Sequence, residues 1–171
     1  MDRLRTICVL GTLVGLVACG GGGSASYPPS TPATCTLALQ YANGSSSGIA
    51  IAPQAASTDR NFNACNLALV QSAKLTVCID HPSLSEVSGQ LRLAGSTVLP
   101  FAASSGAAVG TSCLAQSGGA TTLREFTVSS GNLPSAALSS GPWSVVLSDS
   151  VPSNNQSGYF VAWALELQGL R

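Results

Sequence analysis

Charge is scarce in this chain. Only 8% of its 171 residues are Asp, Glu, Lys or Arg, against roughly a quarter in an average soluble protein, and seven basic residues balance seven acidic ones. Apart from Arg3 and Arg5, no basic cluster occurs. Nucleic-acid binding depends on clustered positive charge that contacts phosphates. We therefore expect no nucleic-acid partner.

Metal-binding residue types are also few. The chain has a single histidine, and no two of its cysteines form a Cys-x-x-Cys pair. Zinc sites built on cysteine need such pairs or further histidines. We therefore expect no zinc site at the cysteines, and no cofactor.

A short apolar run follows the two N-terminal arginines. Residues 7–17 have the length of a signal-peptide core and fall below the ~18 residues needed to span a bilayer. The run ends in Leu16-Val17-Ala18-Cys19, which resembles the lipobox of bacterial lipoproteins. In that family the cysteine is acylated and becomes the first residue of the mature chain. The alternative is an ordinary signal peptide with an incidental cysteine.

The lipobox resemblance implies a lipid anchor at Cys19 and a signal peptide over residues 1–18. Two or more acyl chains hold a protein firmly on a membrane. Gly20 rather than Asp follows Cys19, which in Gram-negative lipoproteins implies the outer membrane. Residues 19–34 then form a Gly/Ser/Pro tether, and residues 35–171 form the folded domain. We expect a location in the bacterial cell envelope.

Four cysteines remain in the folded domain: Cys35, Cys65, Cys78 and Cys113. An even number in an oxidising compartment predicts two disulfides, for which three pairings exist. We expect Cys35–Cys65 and Cys78–Cys113, because cysteines close in sequence often bridge neighbouring strands. Each bridge closes a loop of about thirty residues, which contributes roughly 3–4 kcal/mol.

Alternating apolar residues predict strands in the segments KLTVCI, GQLRLAG, TTLREFTV, GPWSVVL and YFVAWALEL. In the last segment Tyr159, Val161 and Trp163 share one predicted face, and Phe160 lies on the other. Because that segment is apolar on both faces, it is predicted to be a central strand. Turn residues separate the segments, and no long amphipathic helix occurs. The pattern predicts an all-β, antiparallel β-sandwich with disulfides.

Three segments resemble a known domain family. GPWSVVLSD and GYFVAWALEL look like the end of the P domain (P/Homo B domain), which follows the catalytic domain in subtilisin-like proprotein convertases and many bacterial secreted proteases. LTVCIDHPSLSEVSGQLRLAG is similar to an upstream segment of the same family. The matching positions include His81, Gly89, Leu91, Gly141, Trp143, Asp149, Gly158, Phe160 and Trp163.

The sequence departs from the family pattern at several positions. Gln90 replaces an Asp, Phe160 replaces a Leu, and Gln156 stands where an acidic residue is usual. The resemblance implies a jelly-roll-like sandwich without catalytic residues that stabilises or regulates an attached protease. The 171 residues include no protease domain, so this role does not transfer directly.

Candidate reactive groups are few. His81 follows Asp80, but neighbouring residues on a strand point to opposite faces, so this pair favours a structural role. Asp149 with Asn154 and Asn155 is a weak calcium candidate, since calcium takes six to eight oxygens and this turn supplies one carboxylate. Asn and Asp also stabilise turns. We expect no catalytic residue and no metal.

We therefore expect a non-enzymatic envelope lipoprotein that binds or stabilises another protein, for example a secreted protease. One alternative is a carbohydrate- or peptidoglycan-binding module. It requires an exposed aromatic, whereas Trp143 and Trp163 both lie on apolar strand faces, where an aromatic is usually core. A second alternative is a small hydrolase. It requires His81 in a cleft, near a serine hydroxyl and a carboxylate.

Overall fold

The computed structural model describes residues 31–44, 48–62, 65–110, 113, 121–129, 133, 141–152 and 158–171. The expected signal peptide, the expected lipid site at Cys19 and the pair Asn154 and Asn155 lie outside these ranges.

The described ranges form ten strands and two short 3-10 turns. The strands are β1 Pro32–Tyr41, β2 Ile49–Ala50, β3 Ala56–Arg60, β4 Leu69–Asp80, β5 Val87–Leu93, β6 Ser96–Ala102, β7 Ala107–Gly110, β8 Thr121–Ser129, β9 Trp143–Asp149 and β10 Tyr159–Leu170. The 3-10 turns are Leu84–Glu86, before β5, and Ala103–Ser105, after β6. β1 thus begins inside the segment expected to be a tether.

The strands form two antiparallel sheets that enclose one main core. The first sheet has the order β1-β10-β4-β8-β7, with β2 paired to β10, and the second has the order β3-β9-β5-β6. This confirms the predicted antiparallel β-sandwich. β10 is an interior strand, as its apolar pattern predicts, because it lies between β1 and β4.

The core follows from alternation along the strands. In β4, Leu75, Val77 and Ile79 are fully buried, whereas Lys74 and Thr76 on the other face are only partly buried. Side chains at every second position of a strand share a face, so the apolar set of each sheet packs against that of the other. Burial of this apolar surface is the main favourable contribution to folding.

The two tryptophans lie on different sheets. Trp143 begins β9 in the second sheet and Trp163 lies in β10 of the first. Their strands, although consecutive in the chain, therefore do not pair with each other. Both side chains belong to the main core, with exposed fractions of 1% and 0%.

A β-bulge changes the predicted face of two residues in β10. The pairing with β4 shifts register between Phe160 and Ala162. A bulge inserts an extra residue and so reverses the alternation locally. Phe160 consequently joins Trp163 in the main core, while Val161 packs in a second cluster. The predicted face of Val161, shared with Trp163, is wrong for this reason.

Both disulfides have the expected pairing. Cys35 in β1 is bonded to Cys65, which follows β3, and their Cα atoms lie 5.6 Å apart. Cys78 in β4 is bonded to Cys113, and it packs with Val161 in the second cluster on the other side of the first sheet.

Arg60 joins the two sheets along one side of the sandwich. It ends β3, and its guanidinium donates to the carbonyl oxygens of Ala38 (3.2 Å), Gln40 (2.7 Å), Tyr41 (3.1 Å) and Trp163 (2.9 Å). Its Cζ also lies 4.8 Å from the centre of the Trp163 ring, a cation–π contact. Partial burial lowers the pKa of Arg60 from its ordinary value. Arginine still stays charged at neutral pH.

Candidate functional site

Three polar side chains meet at one end of the sandwich. His81 follows β4 of the first sheet, Glu86 ends the 3-10 turn before β5, and Asp149 ends β9 of the second sheet. One potential metal-ligating atom from each lies within 4.8 Å of the others. We call these three residues the end cluster.

The imidazole of His81 is fully buried and held by the backbone. Its side chain has an exposed fraction of 0%, and the amide of Ser83 donates to Nδ1 at 3.0 Å. A neutral imidazole carries one proton, so a ring that accepts at Nδ1 carries it on Nε2. This assignment follows from the hydrogen bond and places the Nε2–H toward Asp149.

The two oxygens of the Asp149 carboxylate make different contacts. Oδ1 accepts the amide of Val151 at 2.7 Å, in the manner of an Asx turn. Oδ2 lies 3.5 Å from His81 Nε2, and the Asp149 side chain is 1% exposed. A good hydrogen bond between these atoms spans 2.7–3.2 Å. In the described part of the chain, Oδ2 and Nε2 therefore both lack a hydrogen-bond partner.

The backbone fixes the third member of the end cluster. The carbonyl oxygen of Glu86 accepts both the amide and the hydroxyl of Ser150, each at 2.8 Å. The amide of Glu86 donates to the Ser83 carbonyl at 3.2 Å. Glu86 itself is partly exposed. The turn that carries Ser83 and Glu86 is thus tied to the end of β9, next to Asp149.

Gly158 is required by the close packing of His81. A Cβ at position 158 would overlap Cδ2 of His81 and lie 2.6 Å from the carbonyl oxygen of Asp80. The backbone of Gly158 also accepts the amide of Ile51 at 3.0 Å. Glycine at this position lets the chain entering β10 pass directly against the imidazole ring.

The geometry does not match a serine-hydrolase constellation among the described residues. A general base needs an accessible lone pair within hydrogen-bonding reach of a nucleophile. The lone pair of His81 Nδ1 accepts the Ser83 amide, and no described serine hydroxyl bonds to the ring. The nearby hydroxyls of Ser83 and Ser85 lie 3.0 Å from each other.

The predicted motif residues divide into an end group and a core group. His81, Asp149 and Gly158 meet at the end cluster. Gly89, Leu91, Phe160 and both tryptophans instead pack inside the sandwich. A Cβ at Gly89 would overlap the ring of Phe101 and lie 2.7 Å from Leu147 Cδ2.

Sequence reasoning missed two features of the end cluster. It paired His81 with Asp80, whereas the carboxylate that faces the ring belongs to Asp149. It also passed over Glu86, whose only signal is that it lies five residues after His81 at the start of the next strand pattern. The meeting of these residues depends on three crossings between the sheets, from β4 to β5, from β6 to β7 and from β8 to β9, which local spacing does not reveal.

Two surface grooves lie elsewhere. One, of about 450 Å³, runs beside the Cys35–Cys65 disulfide and is lined in part by Arg60 and Arg171. The other, of about 480 Å³, lies over the second sheet and is lined in part by Gln90 and Arg92. Neither includes a residue of the end cluster. In the described ranges, no helix has the length and apolarity required to cross a membrane.

No protein-family model matches the chain, and no curated protein matches it. In fold it is similar to the serine protease of Aeromonas sobria, with a TM-score of 0.49 and 19% identity, covering 85% of this chain and 28% of the protease chain. It is also similar to the complex of that protease with the chaperone ORF2, with a TM-score of 0.49 and 17% identity, covering 81% of this chain and 27% of the other chain. For the infectious bursal disease virus VP2 subviral particle the TM-score is 0.32 and the identity 12%, covering 81% of this chain and 33% of the VP2 chain. The chain thus spans about a third or less of each of these chains.

Proposed function

We propose that this chain is a non-catalytic envelope lipoprotein whose P-domain-like sandwich binds or stabilises another protein, for example a secreted protease. The observation that carries this proposal is the placement of the P-domain pattern: its residues fill the core or tie the end of the sandwich. Gly158 and Gly89 leave room for neighbouring rings, and both tryptophans are core residues.

The environment of His81 supports the absence of catalysis. Its ring is fully buried, and its Nδ1 accepts a backbone amide. An acid–base histidine needs contact with a reacting group. Hydrolase activity at His81 would require the ring to rotate and the hydrogen bond from the Ser83 amide to break.

The burial of Trp143 and Trp163 removes the feature on which the carbohydrate-binding alternative rested. That alternative requires an aromatic platform at the surface. Of the large hydrophobic side chains in the described ranges, the exposed aromatic is Tyr159, at 40%. A single tyrosine does not form a platform, so we do not favour this function.

The lipid anchor is tested with Cys19→Ser in a bacterial host. Because the proposed acyl chains supply the membrane affinity, the wild type is expected to incorporate labelled palmitate and to sediment with outer membranes. Cys19→Ser is expected to lose both properties. Cys8→Ser, which changes the other cysteine of the expected signal peptide, is the matched control and should retain both. Equal labelling of Cys19→Ser and wild type would exclude the anchor at Cys19.

The protein partner is tested by crosslinking the lipoprotein in intact cells, followed by binding of the purified pair. We expect one saturable partner, captured reciprocally, with secreted proteases as the first class to examine. Interfaces concentrate their affinity in a few residues. Leu69→Ser, Val109→Ser, Val151→Ser and Tyr159→Ser each change one of the exposed large apolar residues of the described ranges.

At least one of these four variants should weaken binding about tenfold or more while its unfolding midpoint stays unchanged. The other variants then serve as controls for surface polarity. If none of the purified candidate partners binds the wild-type chain or any variant, the protein-binding role is refuted. Retention on peptidoglycan without a protein partner would favour the rejected glycan role.

A further inference from the structure

The groove over the second sheet contains a cation that is held in place but not neutralised. Arg92 lies in β5, is partly buried and lines this groove. Its Nε and Nη2 donate to Gln90 Oε1 at 2.8 Å and 2.6 Å. We propose that this groove, called the second-sheet groove below, binds an acidic side chain of the protein partner, with Arg92 as the anchor. The inference rests on the protein-binding role proposed above.

The hydrogen bonds of Gln90 determine which polar groups remain as donors. A guanidinium has donors only, so the amide oxygen of Gln90, and not its nitrogen, faces Arg92. The hydroxyl of Thr97 donates to the same oxygen at 3.1 Å. Among the described residues, neither Gln90 Nε2 nor Arg92 Nη1 has an acceptor. Two fixed donors without acceptors suit a group that only accepts, such as a carboxylate.

The charge of Arg92 has no counter-charge in the described part of the chain. Gln90 is neutral, and the described ion pairs do not include Arg92. Lys74, by contrast, is paired with two glutamates. Asp59 lies level with Arg92 on the second sheet, but it is exposed on β3, and Ser144 of β9 lies between them. A carboxylate of the partner would therefore meet an uncompensated positive charge.

The lining of the second-sheet groove fits a protein surface better than a small molecule. Apart from Arg92, the lining residues are uncharged, and they include Pro100, Val146 and Ser148. The centres of protein interfaces are poor in charge and rich in arginine. Small-molecule sites enclose most of their ligand, whereas this groove lies on the outer face of a sheet, where β5 alternates buried and partly exposed residues.

The fixed position of Arg92 lowers the cost of binding. A free arginine loses side-chain entropy when a partner immobilises it. Here Gln90 already holds the guanidinium through two donors, and Thr97 holds Gln90. An ion pair with an exposed, mobile side chain contributes little, whereas a charge-assisted pair with an oriented guanidinium is stronger. Arg92 is therefore a better anchor than Arg171, which is exposed.

The first experiment locates the partner on the surface of the full-length lipoprotein in intact cells. A photoreactive side chain replaces Ser88, an exposed residue that lines the second-sheet groove, or Val109 on β7 of the first sheet. We expect crosslinking from position 88 to the partner that the earlier experiment captures, and little from position 109. The crosslinked segment of the partner, identified by mass spectrometry, should contain Asp or Glu.

The second experiment measures binding of the purified pair. Gln90→Glu keeps an oxygen for the two donors of Arg92 but neutralises its charge and removes the amide donor. It should weaken binding about tenfold or more, with an unfolding midpoint that does not fall. Arg92→Met should weaken binding as much. Arg171→Gln removes an exposed arginine of the other groove and is the matched control, with binding as in the wild type.

The salt dependence separates an ion pair from a change in packing. Salt screens charges at an interface, so wild-type binding should weaken as salt rises. Gln90→Glu and Arg92→Met should both reduce this dependence, whereas Arg171→Gln should retain it. Asp59→Asn removes a negative charge from the same sheet and should not weaken binding. A variant that only disturbs the sheet would weaken binding equally at low and high salt.

Three outcomes would overturn this inference alone. The first is a partner whose affinity is unchanged by Gln90→Glu and Arg92→Met. The second is a crosslinked segment without Asp or Glu. The third is saturable binding of succinate that Arg92→Met abolishes while partner affinity is unchanged, which would assign the groove to small carboxylates. A chain that binds no partner at all would refute the protein-binding role itself, and this inference with it.

Discussion

Arg60 and the His81–Asp149 pair both connect the two sheets, but they differ in how many hydrogen bonds they make. Each connects the two sheets through buried or partly buried polar atoms. Arg60 donates to four carbonyl oxygens, whereas His81 and Asp149 leave two facing atoms without partners. Buried polar atoms usually have hydrogen-bond partners, although Arg124 Nε and Trp163 Nε1 also lack one among the described residues. The comparison therefore separates a tie built on hydrogen bonds from one that has only a long contact.

The largest expected effect comes from removing the satisfied tie. Arg60→Met keeps the length of the side chain but leaves four carbonyls without their donor and removes the contact with Trp163. We expect the free energy of unfolding to fall by roughly 3 kcal/mol, because some of these carbonyls can recruit water and others cannot. Urea unfolding monitored by tryptophan fluorescence measures this loss.

Arg92→Met is the control for Arg60. Arg92 is also partly buried, but its guanidinium binds one acceptor, the side-chain oxygen of Gln90. Its loss should lower the free energy of unfolding by less than about 1 kcal/mol. Equal losses in the two variants would contradict the structural role assigned to Arg60.

A smaller loss in the free energy of unfolding is expected when the packing around His81 is made too tight. Gly158→Ala places a methyl group against the ring of His81 and the backbone of Asp80, and overpacking typically costs about 1–3 kcal/mol. We expect about 2 kcal/mol in thermal or urea unfolding. In Gly110→Ala the new Cβ meets Leu123 at no less than 3.8 Å, so this control should stay close to wild type. An unchanged Gly158→Ala protein would mean that the ring moves freely.

The smallest effect is expected from changing the unsatisfied pair itself. Asp149→Asn keeps an acceptor for the Val151 amide and alters the 3.5 Å contact with His81. We expect a loss of about 1 kcal/mol, since the contact is too long to contribute much. Asp59→Asn should change the free energy of unfolding by less than about 0.5 kcal/mol. A loss for Asp149→Asn as large as that for Arg60→Met would remove the distinction between the two ties.

Local patterns predicted the parts of this fold that depend on neighbouring residues. Alternation in Leu75, Val77 and Ile79 identified β4 and its buried face, and cysteine spacing led to the correct disulfides. The face of Val161 was predicted wrongly because a bulge is a property of two paired strands. It depends on the register of β10 against β4, which neither sequence segment contains alone.

The end cluster was harder to predict for the same reason. His81 and Asp149 were both singled out, but as separate matches to a family pattern. They meet because β4 and β9 lie in opposite sheets and both finish at the same end of the sandwich. Arg60 had no sequence signal, since its acceptors are backbone carbonyls, and any residue type could supply them.

The bonds of Arg60 also bear on self-association. β1 is an edge strand of the first sheet in the described topology, and carbonyls at its end are occupied by Arg60 rather than left open to another chain. Exposed strand edges can pair with other chains and start aggregation. At the other described edges, β3 has five residues and β7 four, and β6 carries Pro100, which lacks an amide donor. These edges are therefore poorly suited to pairing with strands of another copy of the chain.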